Sequence, residues 1–377
     1  MDERAFDVVI LGAGPAGCAT ALALRKKGLE RALIVDRAHP AVFIPGESAT
    51  PDIAAVLATL GLDLERLGAL PYFGNLSAWG GAPQLSLFGR RGQGWHLNRT
   101  LFEEWLRRET ASRGVTIACP ARLRTIARRG DNWDLEIESF GVARARVVVD
   151  AAGRRAPLAT RLGMKRHRLD YLVALAVRIP FTDRNGLAGF SFVESFADGW
   201  WYAAPVPSGE RVVMLMTDHD IARTYRDPET FVSAWHSAPE LSRRIAPPER
   251  RVTPRIFAAH GGHLDHGAGE GWIAVGDALL SLDPLASSGL SGAFNDAIAA
   301  AGAVADMLNG GDPSGAYTQR ANITLKRYLA GRATYYGLER RWTTSSFWAR
   351  RVRSIPDQIP TRSLQTTSLT AARQVSS

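Results

Sequence analysis

The chain has 377 residues, of which 46% are hydrophobic and 22% charged, which excludes an intrinsically disordered protein and leaves room for a large core in one or two domains. Its formal net charge is +9, nearly all of it arginine, with Lys26, Lys27, Lys165 and Lys326 the four lysines. No nucleic-acid recognition motif accompanies that charge, so it reads either as a compositional bias with a solvated basic surface or as attraction to an anionic cofactor, substrate or acidic protein face, and not as a nucleic-acid site.

The N-terminus places acids before a short apolar run, unlike a secretory signal, and no uninterrupted apolar stretch approaches a membrane span. Two cysteines, Cys18 and Cys119, argue against a disulfide framework and for a reducing, cytoplasmic compartment. FDVVIL, residues 6–11, reads as a buried strand. A glycine turn over 12–17 leads into a helix stopped by Gly28, and RALIVD, residues 31–36, is a second strand ending in an acid. This βαβ start predicts a parallel sheet. Gly12, Gly14 and Gly17 form a Gly-x-Gly-x-x-Gly turn for a dinucleotide. The first permits the tight turn, the second a close pyrophosphate, the third close helix–strand packing. Ala16 belongs to the same turn, and Asp36 with Arg37 ends the second strand, where a carboxylate accepts from ribose hydroxyls. Cys18 reads as a packing residue.

IPGESATP, residues 44–51, is a polar loop ahead of PDIAAVLATLG, which Ser48 or Thr50 could cap as a helix with Pro51 in its first turn. Residues 101–112 read as helix, and those from 115 to 150 as a strand meander whose last strand is buried. Residues 171–218 are strand-rich. HGGHLDHG brings His260, His263 and His266 to three-residue spacing, but in a Gly-rich loop, so no metal site is expected.

GWIAVGD is a further strand, followed by a loop and a helix from about Leu290 to Leu308. Gly276, Asp277, Pro284, Gly289 and Leu290 make this a second cofactor signal. Asp277 can accept from ribityl hydroxyls, and a helix start at Gly289 can stabilise the flavin edge that gains charge on reduction. That favours FAD over NAD. The segment 335–353 alternates aromatics and arginines, either an amphipathic helix with solvated arginines or a docking surface. The last dozen residues read as frayed. The fold expected is α/β. A Rossmann-like FAD-binding domain is drawn from 1–75, 95–160 and 265–310. A β-sheet substrate domain from 76–94 and 165–260 is interleaved with it, and 311–377 forms a helical C-terminal region.

Three motifs, GAGPAG with Asp36, VVVDAAGRR at 147–155 and GDALLSLDPLASSGL at 276–290, make the chain resemble the FAD monooxygenase family. That family includes aromatic hydroxylases, flavin-dependent halogenases and geranylgeranyl reductases. The resemblance places Asp150, Gly153 and Arg154 near the cofactor and sets Glu47 and Ser48, with Thr50, beside the flavin. It also lets Arg99 reach the flavin and makes His96 a candidate catalytic residue with Glu47 and Ser48, with a satisfied structural histidine the equal alternative. Halogenases of this type need a lysine that this chain lacks between Lys27 and Lys165, and their Gly-Trp-x-Trp-x-Ile-Pro signature is altered to GWWYAAP at 199–205. GWWYAAP followed by PSGERVVMLMTD instead resembles the flavoproteins that mature cysteine tryptophylquinone enzymes, with Trp200, Trp201 and Tyr202 on the substrate side.

The resulting expectation is an FAD-dependent monooxygenase, its flavin reduced by NAD(P)H or a separate reductase. No second Gly-x-Gly-x-x-Gly turn provides a nicotinamide domain. Oxygen would be activated as a flavin C4a-hydroperoxide and delivered to an aromatic, indole-like ring, free or in a protein client. The alternatives are a halogenase or small-molecule aromatic hydroxylase, and a non-catalytic flavoprotein that holds a client protein.

Overall fold

The strand Gly141–Asp150 pairs in parallel with Arg4–Leu11, Val8 opposite Val147 and Leu11 opposite Asp150, and Arg4–Leu11 pairs in parallel with Ala32–Val35. The structure, a computed structural model, describes residues 4–37, 43–64, 67–182, 187–248 and 250–352. The tail expected to fray lies outside them. Residues 8–11, 32–35 and 147–149 of these three strands are aliphatic and buried, as a parallel sheet covered on both faces requires. Thr116–Ala118 and Trp272–Ala274 extend the sheet in parallel on its two sides. An antiparallel edge, Ala268–Gly269, and the hairpin Arg122–Arg129 with Asn132–Glu138 complete eight strands. Helices Pro15–Lys26 and Gly289–Leu308 present Ala19, Ala23, Ala297 and Ala301 to one core, small residues that let helix and sheet approach closely.

A seven-stranded sheet runs in the order Arg255–Ala258, Leu172–Pro180, Glu210–Asp218, Gly199–Val206, Phe190–Phe196, Gly74–Ala78, Gln84–Leu87. Four of its inner strands, from Leu172–Pro180 to Phe190–Phe196, are largely buried on both faces while the edge strand Gln84–Leu87 is exposed, and side-chain alternation sorts the buried side chains into two cores. Val173, Leu175, Trp201 and Leu215 pack on Phe231 and Trp235. Leu172, Ala174, Trp200, Tyr202, Met214 and Met216 face the other way, in one cluster with Tyr336, Phe347 and Trp348. A small sheet of Ser48–Ala49, Gly94–His96 and Leu70–Tyr72 sets Ser48 opposite His96.

Three local expectations change. HGGHLDHG contains a strand, Gly262–Leu264, between Arg166–Arg168 and Leu280–Ser281, and stacks His263 on His167 with ring centroids 5.0 Å apart. The aromatic–arginine segment is two helices, Ser314–Gly337 and Ser346–Val352, joined by a turn. Its Arg351 is not solvated: it meets Asp218 at 2.8 Å, with both side chains at most 3% exposed. The helix Asp52–Thr59 starts without a side-chain cap, so neither Ser48 nor Thr50 caps it. Among the described residues no helix is long and apolar enough to cross a membrane.

Candidate active site

A cavity of about 1250 Å³ is lined from both large sheets, beyond the C-terminal ends of the parallel strands where α/β folds bind ligands. At one end Gly12 adopts φ +110°, and a Cβ there would lie 2.5 Å from the Ala151 carbonyl oxygen. A Cβ on Gly17 would lie 1.9 Å from the Gly12 carbonyl oxygen. Both positions are fixed by packing, and Gly17 is buried in the helix and does not line the cavity. Gly14 is different: a Cβ there meets nothing within 4 Å. It precedes the helix Pro15–Lys26, whose first amides receive no side-chain cap. Open donors, positive potential and bare space are what a pyrophosphate takes up. Asp36 ends the second strand at the cavity wall, 9% exposed, its Oδ1 accepting from the Arg37 amide at 2.8 Å.

The other end is built around the polar loop. Arg99 Nη1 donates to the Gly46 carbonyl at 3.3 Å while Nη2 meets Glu103 at 2.7 Å, which ties the loop to the helix Arg99–Ser112. Glu47 is fully buried. Its Oε2 accepts from the Gly46 amide at 3.0 Å, and Oε1 has no hydrogen-bond partner among the described residues. Burial pushes its carboxyl up to about 7, against smaller opposing effects of backbone amides, Arg99 and Arg178. Asp277, Pro284, Gly289 and Leu290 line the opposite wall, with Arg154 Nη1 3.2 Å from Asp277 Oδ2. The helix Gly289–Leu308 also starts without a side-chain cap, and its first residues, Gly289 and Leu290, line the cavity.

Behind the loop runs a chain of short contacts: His96 Nε2 to Ser191 Oγ at 3.1 Å, Ser191 Oγ to Ser48 Oγ at 2.9 Å, Ser48 Oγ to the Tyr202 hydroxyl at 2.7 Å. Ser48 and Tyr202 line the cavity; His96 does not. His96 stacks on Tyr72 with centroids 4.2 Å apart, and burial, reinforced by the Arg211 charge, holds it down to about 3, so it is neutral. Burial raises the Tyr202 phenol well above its ordinary value. Nearby, Trp200 Nε1 donates to the Tyr336 hydroxyl at 3.1 Å, and that hydroxyl donates to Asp283 at 2.7 Å, fixing the indole on the wall.

The structure brings Gly12, Gly14, Ala16, Asp36, Arg37, Glu47, Ser48, Arg99, Gly153, Arg154, Trp200, Tyr202, Asp277, Pro284, Gly289 and Leu290 to one cavity. Others fall elsewhere. Trp201 points into the opposite core, because neighbours along a strand face opposite sides. Gly276 is buried under Ala16. Asp150 accepts from the amides of Ala152, Leu158 and Ala159 and organises a turn. Thr50 meets Ser291 at 3.4 Å. Cys18 is buried and donates to the Ala13 carbonyl, a packing role. Among the described residues no three His, Cys, Asp or Glu side chains converge to hold a metal. Ser191, Tyr72 and Tyr336 carried no signal in the sequence as parts of this site.

The cavity's size, the open Gly14 cradle, the acid at the second strand and the unpartnered Glu47 oxygen all fit FAD, and the fold is that of an FAD-dependent oxidoreductase. The tryptophan halogenase family model matches residues 83–368, and an FAD-binding domain model matches residues 7–44. The chain belongs to the tryptophan halogenase family. It is 29% identical to the protein named FAD-dependent oxidoreductase LodB of Marinomonas mediterranea, over 92% of this chain and 97% of that one. It is 25% identical to a 1H-pyrrole-2-carbonyl peptidyl-carrier-protein brominase of Pseudoalteromonas luteoviolacea, over 82% of this chain and 79% of the brominase. Among solved structures, the flavin-dependent halogenase CmlS superposes with a TM-score of 0.81 at 23% identity, covering 93% of this chain and 68% of CmlS. The peptidyl tryptophan dihydroxylase QhpG gives 0.75 at 24%, covering 92% and 79%. These two likenesses establish the fold.

Proposed function

We propose that this protein is an FAD-dependent monooxygenase that oxygenates an electron-rich, indole-like aromatic ring, with a tryptophan in a partner protein as the favoured substrate. One observation carries the choice over halogenation: no lysine is among the described residues lining the cavity, whose far wall is Ala174, Trp200, Tyr202, Met214, Met216 and Phe257. Halide oxidation by the related halogenases relies on a lysine; oxygen transfer to a ring does not. The peptidyl tryptophan substrate of QhpG supports the same choice.

In this reading Gly12, Gly14, Ala16, Asp36, Arg37, Arg99, Asp277, Pro284, Gly289 and Leu290 hold FAD, with Gly17 and Gly276 packing the elements that carry them. The flavin, reduced by NAD(P)H or a separate reductase, supplies oxygen activation. Glu47 and Ser48 sit at the reaction face, Glu47 with a proton affinity suited to exchanging protons near neutrality. Trp200 and Tyr202 orient the ring, and the sheet formed by 76–94 and 165–260 presents it. The test is to supply FAD, NADH or NADPH with and without a flavin reductase, oxygen, and tryptophan-bearing peptides, then read masses. Addition of oxygen supports the proposal; bromine incorporated from bromide in its place overturns it.

A further inference from the structure

The imidazole bears on the direction of the chain from His96 to Tyr202. A neutral imidazole carries one proton, on Nε2 or Nδ1. His96 is fully buried, and its Nδ1 has no hydrogen-bond partner among the described residues. A buried N–H without an acceptor is the costlier orphan, and such donors are rarer in folded proteins than acceptors with an unused lone pair. The proton therefore belongs on Nε2, which lies 3.1 Å from Ser191 Oγ. The Ser191–Ser48 contact at 2.9 Å and the Ser48–Tyr202 contact at 2.7 Å can each run either way, and Nε2–H donating to Ser191 is compatible with the Ser191 hydroxyl donating to Ser48 and the Ser48 hydroxyl to Tyr202. In that direction Tyr202 has its acceptor side used, and its own O–H is left for the cavity it lines.

We propose that His96 is a positioning residue whose Nε2–H tautomer orients this chain so that Tyr202 presents its phenolic O–H to the cavity as a fixed hydrogen-bond donor. The site then selects a ligand that faces Tyr202 with an acceptor, a carbonyl or an oxyanion oxygen, and holds it more strongly as negative charge builds on that oxygen. Each hydroxyl in the chain polarises the next, which strengthens the terminal donor. No proton leaves the chain; its work is orientation. The inference rests on this cavity being the reaction site, as in the proposed function, but not on which ring is oxidised.

The tautomer can be read without turnover. The FAD-loaded protein, labelled with 15N-histidine, is examined by long-range 1H–15N correlation at neutral pH. The His96 ring is identified as the one whose Nε2 resonance moves in Ser191→Ala, or, should that variant not fold, as the one lost in His96→Gln. The proposal requires a protonated Nε2 and a bare Nδ1. A proton on Nδ1, or on both nitrogens, overturns it. A second reading uses 13C-labelled tyrosine: His96→Gln, which keeps an N–H donor, should leave the Tyr202 Cζ shift close to wild type, whereas His96→Leu should displace it. Equal displacement in the two variants would refute the orienting role. Absence of oxygenated product would leave both readings unaffected, so failure of the functional proposal is separable from failure of this one.

Discussion

Ser48 Oγ lies 2.7 Å from the Tyr202 hydroxyl, joining the polar loop that follows the nucleotide-binding βαβ unit to the middle of the seven-stranded sheet. The contact fixes the distance between the polar loop and the sheet wall of one cavity. Tyr202→Phe removes the donor while keeping the ring. Loss of one preorganised donor lowers turnover by roughly 100- to 1000-fold. The expected result is unchanged FAD content, a drop in product formed, and a larger share of reductant consumed without product. Ser48→Ala should give a smaller loss of the same kind, measured as the ratio of product to reductant oxidised.

Glu47 ties stability to pH. Burial raises its carboxyl to about 7 from an ordinary 4.5, so between these values the folded chain holds a proton the unfolded chain has released. Its stabilising contribution is complete below the unfolded value and falls by about 3 kcal/mol as pH rises through the folded one. Neutral His96 acts with the opposite sign: held at about 3 against 6.5, it favours folding above its unfolded value and loses that contribution as pH falls. Glu47→Gln isolates the first effect. In urea unfolding, the stability of Glu47→Gln relative to wild type should rise by about 2–3 kcal/mol between about pH 5 and about pH 8. A difference that stays constant would show the carboxyl titrates normally.

Glycines of the first turn should separate folding from cofactor binding. A Cβ at Gly12 meets the Ala151 backbone and at Gly14 meets nothing in the protein. Gly12→Ala should therefore unfold or aggregate. Gly14→Ala should keep the melting temperature of the FAD-free protein while weakening FAD by roughly tenfold or more, about 1.4 kcal/mol per tenfold. Equilibrium dialysis with flavin absorbance and a thermal melt of the stripped protein measure the two effects.

Arg351 and Asp218 form a buried pair that pins the helix Ser346–Val352 to the sheet face carrying Trp200 and Tyr202. Removing Asp218 leaves Arg351 buried without its counter-charge, at a cost of about 3–5 kcal/mol, whereas removing Arg351 leaves Asp218 paired with Arg350 at 2.9 Å. Asp218→Asn should lose about that much in chemical unfolding, Arg351→Met less, and the double variant should recover most of the Asp218→Asn loss.

How much of this was legible follows from how local each feature is. The glycine turn with Asp36, and the segment from Asp277 to Leu290, are complete within short stretches, so their chemistry and spacing could be read directly. Ser191 could not be assigned: an ordinary strand serine, it reaches Ser48 and His96 only because two sheets meet there. The Asp218–Arg351 pair spans 133 residues and has no local signature. Trp201 was misplaced although strand alternation already separates it from Trp200 and Tyr202; two adjacent indoles in one strand cannot both face one cavity.

The central claim is transfer of oxygen to an aromatic ring. It is tested most directly by turnover under 18O2 in the presence of bromide, with FAD, NAD(P)H and a reductase, on a peptide carrying tryptophan. Mass spectrometry should find 18O on the indole and no bromine. Bromine on the ring, or oxygen derived from water alone, would contradict the account.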